Sequence, residues 1–156
     1  MSTQNILNLA QAISQNTSYD AFAPSYSESE WATVGTYMQG ADVNAGVVLI
    51  EKDTRDRTLF FLESGAVSVH LTDVRGQMRL AILNPGSVIG EGSFFSRQPR
   101  SANVVATGAC RIWRLAPTRY AELSSRHANL AVILVMELGA VIAKRMVNSA
   151  KRIAVT

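Results

Sequence analysis

The chain has 156 residues, 47% of them apolar and 17% charged, with a net charge of +3. This is the composition of a globular soluble protein with room for one sizeable core. The single cysteine, Cys110, excludes an internal disulfide and fits a reducing cytoplasm, and its apolar surroundings predict a buried, inert thiol. The charge is unevenly spread: up to Glu51 there are only acids (Asp20, Glu28, Glu30, Asp42, Glu51), so the positive excess lies entirely in the remainder. Such a balance suits an anionic ligand or partner, although basic residues are commonly just a solvated face.

The first residues are rich in Gln, Asn and Ser and lack basic residues, unlike a secretory or transit peptide. Ile6, Leu7, Leu9, Ala10 and Ile13 predict a short amphipathic helix or a loosely docked arm. Beyond Pro24, Ser27 with Glu28 and Glu30 predicts a capped second helix anchored by Trp31 and Val34 and ended by Gly40. Residues 1–40 are thus expected to form an N-terminal helical segment.

From Ala41 to Leu115 the pattern becomes short β-rich runs separated by turns. Val47–Ile50, Thr58–Leu62, Ala66–Leu71, Arg79–Leu83, Asn103–Thr107 and Cys110–Leu115 are the strand candidates. Their regular spacing predicts an antiparallel sandwich or barrel. Residues 116–156 return to helix, with Pro117 suited to a first turn and a bend expected near residues 124–127. Leu130 to Ala143 is apolar except for Glu137, too short for a membrane span but apolar enough to be buried on more than one side. Val135, Leu138, Ile142, Met146 and Ser149 fall at helical spacing and are the expected face toward a second subunit, the alternative being a monomer whose helix docks only on its own sheet.

One stretch, residues 86–102, carries the chemistry. Gly90 and Gly92 allow a tight turn and close approach of a ligand. A helical turn opening near Glu91 would present free N–H groups to an anion. Arg100 adds a fork of donors for phosphate oxygens, and Ser93 and Ser101 add hydroxyls. Glu91 repels phosphate and therefore has to face another part of the same ligand, such as a ribose hydroxyl. The plain alternative is a surface turn in which Glu91 and Arg100 pair with each other.

Gly90-Glu91-Gly92-Ser93-Phe94-Phe95 followed by Arg100-Ser101-Ala102 resembles the phosphate-binding cassette of the cyclic-nucleotide-binding domain family. Gly46, Asp53, Phe61–Gly65 and Asn84-Pro85-Gly86 match further turns of that family, so the resemblance covers residues 27–153. Gly92 departs from the family's usual apolar residue, and Lys52 replaces a glycine. The resemblance implies an α+β, mainly β fold: an antiparallel β-roll or jelly-roll with N-terminal helices and a long C-terminal helix. It implies that Glu91 accepts from the ribose 2′-hydroxyl, and that Arg100, Ser101 and backbone groups at Gly90, Gly92, Ser93 and Ala102 hold the cyclic phosphate. It also places Arg145, Asn148 and Ser149 near the base, and the long helix in a homodimer.

A cytoplasmic sensor of cAMP or cGMP, with cAMP preferred, is the resulting expectation, passing occupancy through its last helix to a protein effector. Without cofactor or metal it is not an enzyme: His70 and His127 make no metal-ligand spacing, and Ser93 and Ser101 lack an adjacent base. No helix-turn-helix follows the long helix before Thr156, so nucleic acid binding is not expected. The rival readings are a scaffold that kept the fold without the ligand, a binder of cyclic dinucleotides, and a nucleic-acid binder using the basic C-terminal end.

Overall fold

The computed structural model describes residues 5–72 and 75–155; for Arg79 and residues 148–155 it describes the backbone alone. Two helices lead, α1 (Ile6–Gln15) and α2 (Glu28–Gly35). Eight strands follow: β1 (Gln39–Val43), β2 (Val48–Ile50), β3 (Leu59–Ser64), β4 (Val67–Thr72), β5 (Met78–Leu83), β6 (Val88–Ile89), β7 (Asn103–Ala106) and β8 (Cys110–Leu115). A short helix, α3 (Glu91–Ser96), stands between β6 and β7, and α4 (Pro117–Arg126) and α5 (Ala128–Val155) close the chain. All strand pairings are antiparallel, in two four-stranded sheets ordered β1-β8-β3-β6 and β2-β7-β4-β5. This is the expected β-roll with helices at both ends.

Two cores follow from the strand period of two. Phe60, Leu62, Cys110 and Ile112 point between the sheets, with Ile50, Val67, Ile89, Val104 and Ala106. Their alternates Leu59, Phe61, Trp113 and Leu115 face the helices and meet Leu9, Phe22, Val34, Leu123, Leu134 and Leu138. β3 is covered on both faces, which is why Leu59–Leu62 reads as a continuous apolar run rather than an alternating one, while Arg111 and Arg114 interrupt β8. Cys110 is buried, its Sγ donating to the carbonyls of Ala66 and Gly108.

The local rules at α2 operate as its sequence indicates. Ser27 Oγ accepts from Glu30 N–H and Glu30 Oε1 from Ser27 N–H, a reciprocal capping box. Gly40, however, does not end this helix. α2 stops at Gly35, and Gly40 lies within β1, where a Cβ would stand 2.7 Å from Arg111 Nη2 and 3.3 Å from the Trp113 ring. That glycine serves sheet packing. β1 escaped the sequence reading because Gln-Gly-Ala-Asp-Val has no apolar alternation, and β6 because it has only two residues.

α1 is firmly seated rather than a loose arm. Ile6, Leu9 and Ile13 are buried, and a Cβ at Gly86 would lie 2.6 Å from Ala12 O. The final helix buries Leu130, Ala131, Leu134, Leu138 and Val141, and Tyr26 and Tyr120 hydroxyls donate to the carbonyls of Leu130 and Ala131. Burial raises the pKa of both phenols. The outward apolar residues of α5 are Val132, Met136, Met146 and Val147. The face expected from the sequence is corrected accordingly: Leu138 is 0% exposed and packs inward, Val135 and Ile142 are half-buried, and only Met146 of that set is exposed, with the Ser149 side chain outside the described residues. A helix apolar nearly all round offers several stripes of equal merit, and packing selects among them. Among the described residues no helix is long and apolar enough to cross a membrane.

Candidate functional site

The site forms where β6 runs into α3. Gly90 caps that helix in the left-handed region at φ 87°, and a Cβ there would lie 2.6 Å from Arg100 Nη1 and 3.1 Å from Thr58 O. Only glycine meets both demands. Gly92, by contrast, is an exposed residue of α3, and a Cβ there would meet nothing within 4 Å. Ser93 is buried at 8% exposed, Ala102 is half-buried and Ser101 is exposed.

Arg100 is held from three sides. Its backbone N–H donates to Thr54 O and its carbonyl accepts from Asp53 N–H, both at 2.8 Å, so the turn after β2 grips the main chain. The left-handed residue of that turn is Asp53, at φ 70°, and not Lys52, which has a negative φ. Losing the family's glycine at position 52 therefore costs no strain, since Asp tolerates this conformation. The Arg100 side chain is 3% exposed: Nη1 donates to Gly90 O at 3.0 Å, and Nη2 to Thr58 O at 2.6 Å and to Asp56 Oδ2 at 3.0 Å. Its Nε is buried and has no hydrogen-bond partner. Partial burial would raise the Asp56 carboxyl, but hydrogen bonds from Arg100 and Thr58 hold it below the usual carboxylate range.

Glu91 does not pair with Arg100. Its Oε1 accepts from Arg145 Nη1 at 2.5 Å, and Arg145 Nε donates to Asp20 Oδ2 at 2.8 Å while Nη2 reaches Val88 O at 3.3 Å. Burial opposes the charge on Arg145, but the two carboxylates outweigh it and raise its pKa. The plain surface-turn reading fails on this geometry, because each charged member of the cassette has its own partner. Arg145, expected near the ligand base, is instead engaged at the first residue of α3. Asn148 and Ser149 lie one turn further along α5, with side chains outside the described residues.

Asp20, Asp56 and Thr58 were missed by the sequence reading. Asp56 carried one usable signal: a buried arginine needs a counter-charge, and with Glu91 assigned elsewhere the acid-rich turn at 53–56 is the nearest source. Asp20 had none, lying 125 residues from Arg145 in sequence. Two clefts of about 620 and 670 Å³ flank α1, and neither is lined by Glu91 or Arg100, which already hold intramolecular partners.

Comparisons with known proteins establish the family and the fold. The family model of the cyclic nucleotide-binding domain matches residues 42–127. The cAMP-activated global transcriptional regulator CRP of Escherichia coli is 31% identical over 107 residues, 67% of this chain and 49% of that protein. Glutaminase 2 of Bradyrhizobium diazoefficiens is 36% identical over 103 residues, 66% of this chain but 16% of that protein. The chain thus spans about half the length of the regulator and a small part of the glutaminase. A crystal structure of a cyclic nucleotide-binding domain from Methylobacillus flagellatus superposes with a TM-score of 0.82 at 20% identity, covering 96% of this chain and 82% of that one, which shows the shared fold. The family match contains Glu91 and Arg100 together with the turn that grips Arg100, and the chain belongs to the cyclic nucleotide-binding domain family, a family of regulatory binding domains.

Proposed function

We propose that this chain is a cytoplasmic cyclic-nucleotide sensor with cAMP as its preferred ligand, acting by binding and not by catalysis. The observation that carries the reading is the Arg100 guanidinium, 3% exposed with an unpartnered Nε. A buried donor left without an acceptor costs roughly 1–3 kcal/mol. A phosphate oxygen would supply the missing acceptor and share the guanidinium with Asp56. Glu91 uses Oε1 for Arg145. A carboxylate has about four lone-pair sites, so the second oxygen can accept a ribose hydroxyl while that pair persists.

The relay follows from the same contacts. Arg145 belongs to α5 and Glu91 to α3, so a ligand that draws on Glu91 alters an ion pair joining the cassette to the C-terminal helix. Occupancy then shifts the population of helix positions in proportion to the ligand's differential affinity for them. The exposed row Val132, Met136, Met146 and Val147 is the surface on which such a shift would register, and a second copy of the chain is the occupant we assign to it. A protein effector downstream would read the same movement.

The reading is tested by thermal unfolding with a panel of cAMP, cGMP, 5′-AMP and cyclic dinucleotides. A ligand at 100 times its dissociation constant adds about 2.7 kcal/mol, and for a chain of this size each kcal/mol moves the midpoint by about 2–4 °C. We expect the largest shift with cAMP. No shift with any member would leave a scaffold that kept the fold alone.

A further inference from the structure

We infer that Asp20, which lies outside the region matched to the family, is a positioning residue for the sugar end of the ligand: it orients Arg145, and through it Glu91. This rests on the proposed function and extends it to the segment between α1 and α2.

Three observations place Asp20 in that role. First, it has a fixed frame. Phe22, two residues on, is 1% exposed with its ring 5.5 Å from that of Phe61, and Ala21 N–H closes a turn onto Ser18 O at 3.0 Å. Upstream, α1 approaches Gly86 so closely that no side chain fits there, and Gly86 lies in the turn just before β6, the strand leading into Gly90. The segment bearing Asp20 is therefore anchored to the same β-roll edge that carries the cassette.

Second, the contacts form a directed chain. Asp20 Oδ2 takes Arg145 Nε, leaving Nη1 to Glu91 Oε1 and Nη2 to Val88 O. All three nitrogens of the guanidinium are engaged, so its plane is fixed. A guanidinium fixed in plane fixes the carboxylate it holds, since the fork and the carboxylate are both planar. Glu91 is mostly buried, with its side chain 16% exposed, and its carboxylate pairs with Arg145.

Third, the charges need this arrangement. With Arg145 paired to Glu91 alone, a hydroxyl donating to the other oxygen of Glu91 would weaken the one ion pair the cation has. The second carboxylate at Asp20 keeps Arg145 neutralised whatever Glu91 is doing. The ligand's hydroxyl then competes with part of the network and not with the whole of it.

The test compares cAMP with its 2′-deoxy analogue by calorimetry on the full chain, because only the first offers Glu91 a hydroxyl. In Asp20→Asn, cAMP affinity should fall about tenfold, the scale of one charge-assisted hydrogen bond. Affinity for the 2′-deoxy analogue should stay within about twofold, the range in which independent changes behave additively. Asp20→Glu, which keeps the carboxylate, should retain most of the wild-type preference. In a Glu91→Gln background, Asp20→Asn should produce no further loss. A role confined to stapling the N-terminal segment would lower the melting temperature and weaken both ligands equally, and that result overturns the inference, as does an unchanged preference. If the wild type binds cAMP and Arg100→Ala abolishes binding while the Asp20 variants keep the preference, this inference falls and the proposed function stands. If the wild type binds neither nucleotide, both fall together.

Discussion

The two ends of the candidate site are built in opposite ways. At the Arg100 end everything comes from the β-roll: Gly90 before α3, and Asp53, Thr54, Asp56 and Thr58 in the connection between β2 and β3. That guanidinium is buried and gripped by main-chain groups, which do not move without unfolding the roll. At the Glu91 end three distant parts of the chain meet, Asp20 ahead of α2, Glu91 in α3 and Arg145 on α5, and they meet through side-chain ion pairs, with one further bond from Arg145 Nη2 to the Val88 carbonyl. Side-chain ion pairs that are partly open to water rearrange at little cost. Rigid capture at one end and an adjustable joint at the other is the division a sensor requires: the first fixes the ligand, the second reports it.

Breaking the rigid end should give the largest effects. Arg100→Ala removes one side of a buried charge interaction with an anionic ligand, worth about 2–5 kcal/mol. At 1.36 kcal/mol per factor of ten, calorimetry should show cAMP binding weakened by about 30-fold to several thousand-fold. Gly90→Ala should follow. It forces a side chain into the left-handed region and against Arg100 Nη1, so denaturant unfolding should show a loss of about 1–3 kcal/mol together with weaker binding.

Breaking the adjustable end should do less to the fold and more to the coupling. Arg145→Ala leaves the Glu91 and Asp20 carboxylates without their shared cation, and a stability loss of roughly 1–2 kcal/mol is expected at neutral pH. Gly92→Ala sharpens the comparison from the other side. Its site is helical, exposed and empty, so the variant should gain about 0.5–1 kcal/mol with cAMP affinity unchanged. Arg100 and Gly90 feel every change near them; Gly92, two residues away, does not.

The smallest effect concerns Asp56. Its folded pKa lies below the unfolded value, so it contributes stability that is fully present above the unfolded pKa and lost as the pH falls through the folded one. The carboxylate is 48% exposed, which reduces this to a few tenths of a kcal/mol after solvent screening. Asp56→Asn should accordingly lower stability at pH 7, where the carboxylate partners the buried Arg100, and flatten the acid limb of the stability profile below about pH 4.

What the amino-acid sequence disclosed follows the same division. The β-roll was legible where neighbours in sequence are neighbours in space: the apolar run of β3, the β-rich pattern of β8, the Ser27–Glu30 capping box, and the glycine, carboxylate and arginine of the cassette. β1 was not, because an edge strand held by pairing with β8 needs little apolar character of its own. Nor was the partner of Arg100, 44 residues distant, or that of Arg145, 125 residues distant, since no local pattern encodes which carboxylate a folded chain brings to a given cation. The outward face of α5 stayed ambiguous for a different reason. Its stripes are equally apolar, and only contact with Leu123, Val34 and the outer face of β3 and β8 decides that Leu138 turns in and Met136 turns out.

The most direct measurement is a crystal structure of the chain with cAMP. The account predicts the cyclic phosphate within hydrogen-bond distance of Arg100 Nε and the ribose 2′-hydroxyl on the second oxygen of Glu91, with Asp20 still holding Arg145. A nucleotide bound elsewhere, with Arg100 held only by Asp56, Thr58 and Gly90 and Glu91 only by Arg145, would contradict it.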